Sequence, residues 1–191
     1  MATPKITRIV FVVLAFVALS GFVASEISGA RKNEIWRSLL EQEFPLGVIP
    51  FDNEVHDFEL PDQLGRPIRL SRYRKGTVIF LHFWGSDCQP CVTEFPELTR
   101  LAKRLQHERV AFVTVSRDKT RAEIDRFIRF IGGTSVLLLD DPEQKVMKRY
   151  GVTAVPETFI IKNGKILARF IGKQEWTSKR MLYFMRLVME L

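Results

Sequence analysis

Phe83-Trp84-Gly85-Ser86-Asp87-Cys88-Gln89-Pro90-Cys91 is the stretch on which the reading of this chain turns. It closes an unbroken run of β-branched and aromatic residues from Thr77 to Trp84, the pattern of a strand buried on both faces and therefore central in its sheet. Beyond it Cys91, Phe95, Leu98, Leu101, Ala102 and Leu105 recur at steps of three and four, marking one apolar face of a helix that Pro96 is expected to bend. A Cys-x-x-Cys pair thus stands where a central strand turns into a helix. There the first thiol faces solvent under the positive end of the helix dipole, and the second lies one turn along, within reach to close a disulfide. The chemistry that fits this placement is the movement of electrons between disulfides.

Outward from this turn, strand and helix alternate. Val110 to Val115 reads as a strand, and Ile124, Phe127, Ile128 and Ile131 read as a helix stopped by Gly132-Gly133. Val136 to Leu139 is a third core strand, and Pro142 suits the start of a short helix carrying Val146, Met147 and Tyr150. Glu157 to Ile161 and Ile166 to Ile171 flank Asn163-Gly164, which fits the type I′ turn of a hairpin. Trp176 to Leu191 forms a closing helix, apolar on more than one face and expected to pack on the core. Upstream, Val55 to Leu60 and Ile68 to Leu70 form a hairpin around Pro61-Asp62-Gln63-Leu64-Gly65. Such an order predicts an α/β fold with a mixed central sheet flanked by helices on both faces.

Residues Ile9 to Ser25 carry no charge and are mostly Val, Phe, Leu and Ala, at the short end for a membrane span. They read as an uncleaved anchor helix, with a cleaved signal peptide as the alternative, since Ser28-Gly29-Ala30 offers small residues for a cut. The organisation is then an anchor or signal segment over 1–25, a linker over 26–50 ending in Phe44-Pro45-Leu46-Gly47-Val48-Ile49-Pro50, and one folded domain over 51–191. The net charge of +7 is spread without a long single-sign block, so no nucleic acid is expected as a partner. Arg66, Arg69, Arg72, Arg74 and Lys75 read as a solvated hairpin rim, the alternative being a patch lying near anionic lipid headgroups or an acidic partner. Two cysteines exclude a structural disulfide framework, and one Cys-x-x-Cys with His56, His82 and His107 at unsuitable spacing excludes a structural zinc site. No metal and no cofactor are expected.

Phe83-Trp84-x-x-x-Cys88-x-Pro90-Cys91-x-x-Glu94-Phe95-Pro96, followed by Gly151-Val152-x-x-Val155-Pro156-x-Thr158-Phe159, resembles the thioredoxin superfamily. Within it the chain is most similar to membrane-tethered TlpA-like and ResA-like thiol-disulfide oxidoreductases, over roughly Val55 to Ile171. The resemblance implies that Cys88 is the attacking thiol, Cys91 the resolving thiol, and Pro156 a cis-proline opposite them. The backbone of Val155 would then pair with an extended substrate segment, with Trp84 and Pro90 as its surroundings. Trp84 is at the same time expected under the turn as a core residue. Glu94 matches a family acid that takes or gives the exchanged proton, the alternative being an ordinary acid at a helix start. His82 stands where thioredoxins proper place a buried acid, either relaying a proton to Cys91 or simply bonded in the core. Asp87 departs from the family, which usually has tryptophan there; its charge opposes a neighbouring thiolate unless it caps the helix.

The implied activity is reduction of disulfides in exported proteins, with their oxidation as the alternative direction, on apocytochrome c or another cysteine-containing respiratory-chain protein, with a membrane electron donor and the domain on the extracytoplasmic side of the inner membrane. A thiol peroxidase shares the fold but requires threonine where this chain has Gly85. A copper-delivering relative needs wider cysteine spacing and a later histidine, and a redox-inactive scaffold is the remaining alternative.

Overall fold

The computed structural model describes the backbone of Val48–Ile49 and residues 55–73 and 75–190. The expected anchor and nearly all of the linker lie outside the described residues. Among the described residues no helix is long and apolar enough to cross a membrane.

The strands are β1 (Val48–Ile49), β2 (Glu59–Pro61), β3 (Pro67–Arg69), β4 (Val78–Trp84), β5 (Val110–Ser116), β6 (Leu137–Asp140), β7 (Glu157–Lys162) and β8 (Lys165–Ile171). The helices are α1 (Gln89–Arg104), α2 (Arg121–Phe130), α3 (Lys145–Arg149) and α4 (Lys179–Glu190). Six strands form one sheet in the order β1-β8-β7-β4-β5-β6, and β2 pairs with β3 apart from it. β4, β5 and β6 run parallel, whereas β7 is antiparallel to β4 and β8 to β7. Every residue of β4 is buried, as its uninterrupted apolar run requires of a strand with neighbours on both edges and cover on both faces.

Period-two alternation along β4 divides the core. Ile79, Leu81 and Phe83 face a cluster that includes Phe58, Ile68, Val146, Met147, Tyr150 and Phe159, contributed by the β2–β3 hairpin, α3 and β7. Phe80, His82 and Trp84 face the opposite side, where Trp84 stacks within 4.6 Å of Phe95 and 4.9 Å of Phe127, and Phe80 within 4.8 Å of Trp176. The sheet is thus mixed and covered on both faces, as the sequence pattern predicts.

Local details differ where a tertiary contact overrides the pattern. α3 starts at Lys145, three residues after Pro142, because the buried Asp141 carboxylate reaches forward to accept the backbone N–H groups of Lys145, Val146 and Met147 at 2.9, 3.0 and 3.0 Å. α4 starts at Lys179 rather than Trp176, leaving the indole in the preceding turn and fully enclosed. At its other end α4 is closed by Lys162, whose ammonium donates to the carbonyls of Val188 and Met189 at 3.0 and 2.8 Å, a cation on the negative end of the helix. α1 continues across Pro96 from Gln89 to Arg104. Asn163 and Gly164 take φ of 53° and 75°, so the β7–β8 turn is the left-handed kind that Asn-Gly favours. In the hairpin rim Arg66 pairs with Asp62 and Arg69 with Glu59, while Arg74 lies outside the described residues.

Candidate active site

The C-terminal end of β4 delivers the chain into Gly85-Ser86-Asp87, and α1 begins directly after Cys88. Cys88 itself is the N-cap: its Sγ accepts the backbone N–H of Cys91 at 3.2 Å, so the sulfur lies against the unpaired amides at the positive end of α1. Asp87, expected as a possible cap, instead turns outward and is bound by the Arg117 guanidinium at 2.8 and 2.9 Å. Its charge therefore has a partner before it acts on Cys88.

Cys88 and Cys91 are joined in a disulfide, with Cα atoms 5.2 Å apart. Cys88 keeps 7% of its surface in solvent and Cys91 none, so Cys88 is the outer sulfur and Cys91 the inner one. Gln89 and Pro90 are exposed beside it. The Val155-Pro156 bond is cis, and the Val155 carbonyl lies 3.4 Å from Cys88 Sγ. A sulfur in a disulfide carries no hydrogen, so this is a contact; reduction would give Cys88 a proton to donate there. Val155 is half-buried, and Trp84 is fully enclosed. Trp84 thus supports the turn from beneath, and the expectation that it also touches substrate is corrected by its burial.

Asp118 fixes the turn. Its carboxylate accepts the Ser86 N–H at 3.0 and 3.1 Å, the Ser86 hydroxyl at 2.8 Å and the Ser116 hydroxyl at 2.6 Å. A Cβ added to Gly85 would stand 2.8 Å from both Arg117 Nε and Asp87 Oδ1, so the Arg117–Asp87 pair closes over this glycine. Threonine at this position, which a peroxidase requires, would force the Arg117 and Asp87 side chains to move.

Behind the disulfide, one turn along α1 from Cys91, Glu94 is fully buried. Its Oε2 accepts the Gln174 backbone N–H at 2.9 Å and Trp176 Nε1–H at 3.0 Å. Burial outweighs these donors and pushes its pKa from 4.5 up to about 7. His82, from β4, is equally buried and sits with Nδ1 2.8 Å from Thr158 Oγ1 and Nε2 3.6 Å from Glu94 Oε1. Loss of hydration pushes the imidazole down to about 3, so it is neutral at physiological pH.

Every site residue expected from the sequence is therefore found at one end of the sheet, around the β4–α1 turn and the β7 entry. Arg117, Asp118, Gln174 and Trp176 were not foreseen. Arg117 and Asp118 directly follow β5, and the C-terminal ends of parallel strands converge, which is the signal that could have found them. Gln174 and Trp176 lie some 80 residues from Glu94 in sequence, with no local pattern to link them.

A mixed sheet whose central strand ends in a helix-capping Cys-x-x-Cys disulfide, facing a cis-proline, defines a thioredoxin-like redox protein. Residues 51–169 match the AhpC/TSA family, and the chain belongs to it. It is 38% identical over 111 residues to thiol-disulfide oxidoreductase ResA of Geobacillus thermodenitrificans, covering 58% of this chain and 63% of that protein. It is 32% identical over 122 residues to ResA of Bacillus thuringiensis, covering 63% of this chain and 69% of that one. Among solved structures, a thiol:disulfide interchange protein DsbE from Chlorobium tepidum superposes with a TM-score of 0.66 at 25% identity, over 74% of this chain and 99% of the other.

Proposed function

We propose that the protein is a thiol-disulfide oxidoreductase acting as a reductant on disulfide-bearing exported proteins, apocytochrome c among them. In this reading a membrane donor resupplies its electrons, and residues 1–25 anchor it with the domain on the extracytoplasmic side. The observation that carries the proposal is the Cys88–Cys91 disulfide, its outer sulfur at the tip of α1 beside the Val155 backbone and its inner sulfur followed by a buried acid.

In the reduced protein the Cys88 thiolate, stabilised by the α1 amides, attacks a client disulfide held in extended form along Val155. A mixed disulfide forms at Cys88, and the client's other sulfur leaves as a thiolate. The Cys91 thiol then gives its proton to the Glu94 carboxylate and attacks Cys88 Sγ. The products are the Cys88–Cys91 disulfide and a client dithiol, two electrons having passed to the client. A carboxyl titrating near 7 gives and takes a proton with little cost at physiological pH. Pro90 at the second position of α1 removes one backbone N–H from the turn and so tunes how well the thiolate is held. His82 is placed to assist the proton's passage through Glu94.

Cys88→Ser is expected to abolish client and insulin reduction, and Cys91→Ser to accumulate mixed disulfides with clients, visible on non-reducing gels. Normal turnover by both variants would refute the proposal.

A further inference from the structure

The two oxygens of Glu94 are not equivalent. Oε2 already accepts two N–H groups, from Gln174 at 2.9 Å and Trp176 at 3.0 Å, whereas Oε1 has no hydrogen-bond partner among the described residues. Oε1 faces His82 Nε2 at 3.6 Å, and that nitrogen is also without a hydrogen-bond partner among the described residues. Both side chains are completely enclosed, and a shift of roughly half an ångström would bring the two atoms into hydrogen-bond range. A proton arriving on Glu94 therefore belongs on Oε1. On the far side of the ring, Nδ1 lies 2.8 Å from the Thr158 hydroxyl, a group that can either donate or accept.

We infer that His82 and Thr158 together form a tautomer-switching support for Glu94, supplying its free oxygen with an acceptor when it is protonated and with a donor when it is ionised. This rests on the reading of Glu94 as the proton acceptor for Cys91. With the acid protonated, Oε1–H donates to Nε2, and Nδ1–H donates to Thr158 Oγ1. With the acid ionised, Nε2–H donates to the carboxylate, and the Thr158 hydroxyl donates to Nδ1. The imidazole is neutral in both states, its single proton having moved from Nδ1 to Nε2, and the two states differ only by the proton that Glu94 releases. Burial that keeps the ring neutral serves this role, since an imidazolium would offer two donors and no acceptor. Between two fully buried side chains such a pair is what lets one carboxyl hold both protonation states without leaving a buried polar atom unmet. The other charges bearing on Glu94 are Lys173, in the connection from β8 to α4, and Glu97 on α1. The Cys88–Cys91 sulfurs add a negative charge from the start of α1 when reduced. His82 acts through Glu94 and is a positioning residue, as is Thr158.

The test is heteronuclear NMR on the full chain in detergent, labelled with 15N at histidine and 13C at the glutamate carboxyls, between pH 5 and 9. The His82 nitrogens are expected to exchange their protonated and unprotonated shifts with the same midpoint as the Glu94 carboxyl. A tautomer that stays fixed across that midpoint overturns the inference, and this result needs no variant. Thr158→Val leaves Nδ1 facing a methyl group. A buried N–H without an acceptor is tolerated less than a bare acceptor, so the ring should stay in its Nε2–H form and favour the carboxylate. The Glu94 midpoint should fall by one pH unit or more, a tenfold loss of proton affinity, and Thr158→Ser should restore it. A Thr158→Val titration superimposable on the parent's also overturns the inference. Failure of the underlying reading looks different: the tautomer would still switch, but client reduction by Glu94→Gln would keep the parent's rate and pH profile.

Discussion

Glu94 is costly to ionise where it stands, and the cost is measurable as stability. Between the ordinary value of 4.5 and about 7 the native protein holds a proton that the unfolded chain has lost, so stability falls as pH rises through this window and levels off above it. The fall is expected to be roughly 3 kcal/mol, from a shift of this size at 1.36 kcal/mol per unit. Glu94→Gln keeps an oxygen for Gln174 and Trp176 but cannot ionise. Its urea midpoints at pH 5 and pH 8 should therefore differ far less than those of the parent. Arg117 makes a second residue-scale case. Its replacement by alanine frees the Asp87 charge beside Cys88, so the reduced Cys88 thiol should become less acidic. Alkylation rates with iodoacetamide across pH would show the titration moved upward; an unmoved curve would mean that Asp87 does not reach the sulfur electrostatically.

At the scale of elements, α3 shows how a single side chain sets a boundary. Three of its first N–H groups end on Asp141, so Asp141→Ala should cost about 1–2 kcal/mol in urea denaturation. Amide exchange at Lys145, Val146 and Met147 should quicken before the rest of the core. The strands, their alternation and the Asn163-Gly164 turn were legible in the sequence because they follow from local periodicity and from which residues tolerate positive φ. The start of α3 was not, since Pro142 is as plausible a first helical residue as any until Asp141 is seen to be buried and aimed forward. The same holds for the site. The dithiol, Glu94, His82 and Pro156 stand in recognisable motifs, but what Glu94 and His82 do depends on Thr158, Gln174 and Trp176, brought in by strand pairing and by the turn before α4. Pairing across a sheet and long-range loop contacts leave no periodic trace.

For the molecule as a whole, the buried apolar side chains among the described residues run from Phe58 to Val188, with the largest fully enclosed ones spread over both faces of the sheet. A fragment comprising residues 46–191 is expected to unfold in one cooperative transition and to reduce insulin at a rate within about twofold of the full chain, since the chemistry lies entirely within it. A fragment with a broad, probe-dependent transition would show that the preceding residues contribute to the core.

The Arg117–Asp87 clasp over Gly85 bears on which side chains the turn can accept. A hydroxyl-bearing side chain three positions ahead of the outer cysteine would have to displace both partners of that clasp, so filling this position also releases the Asp87 charge next to the outer sulfur.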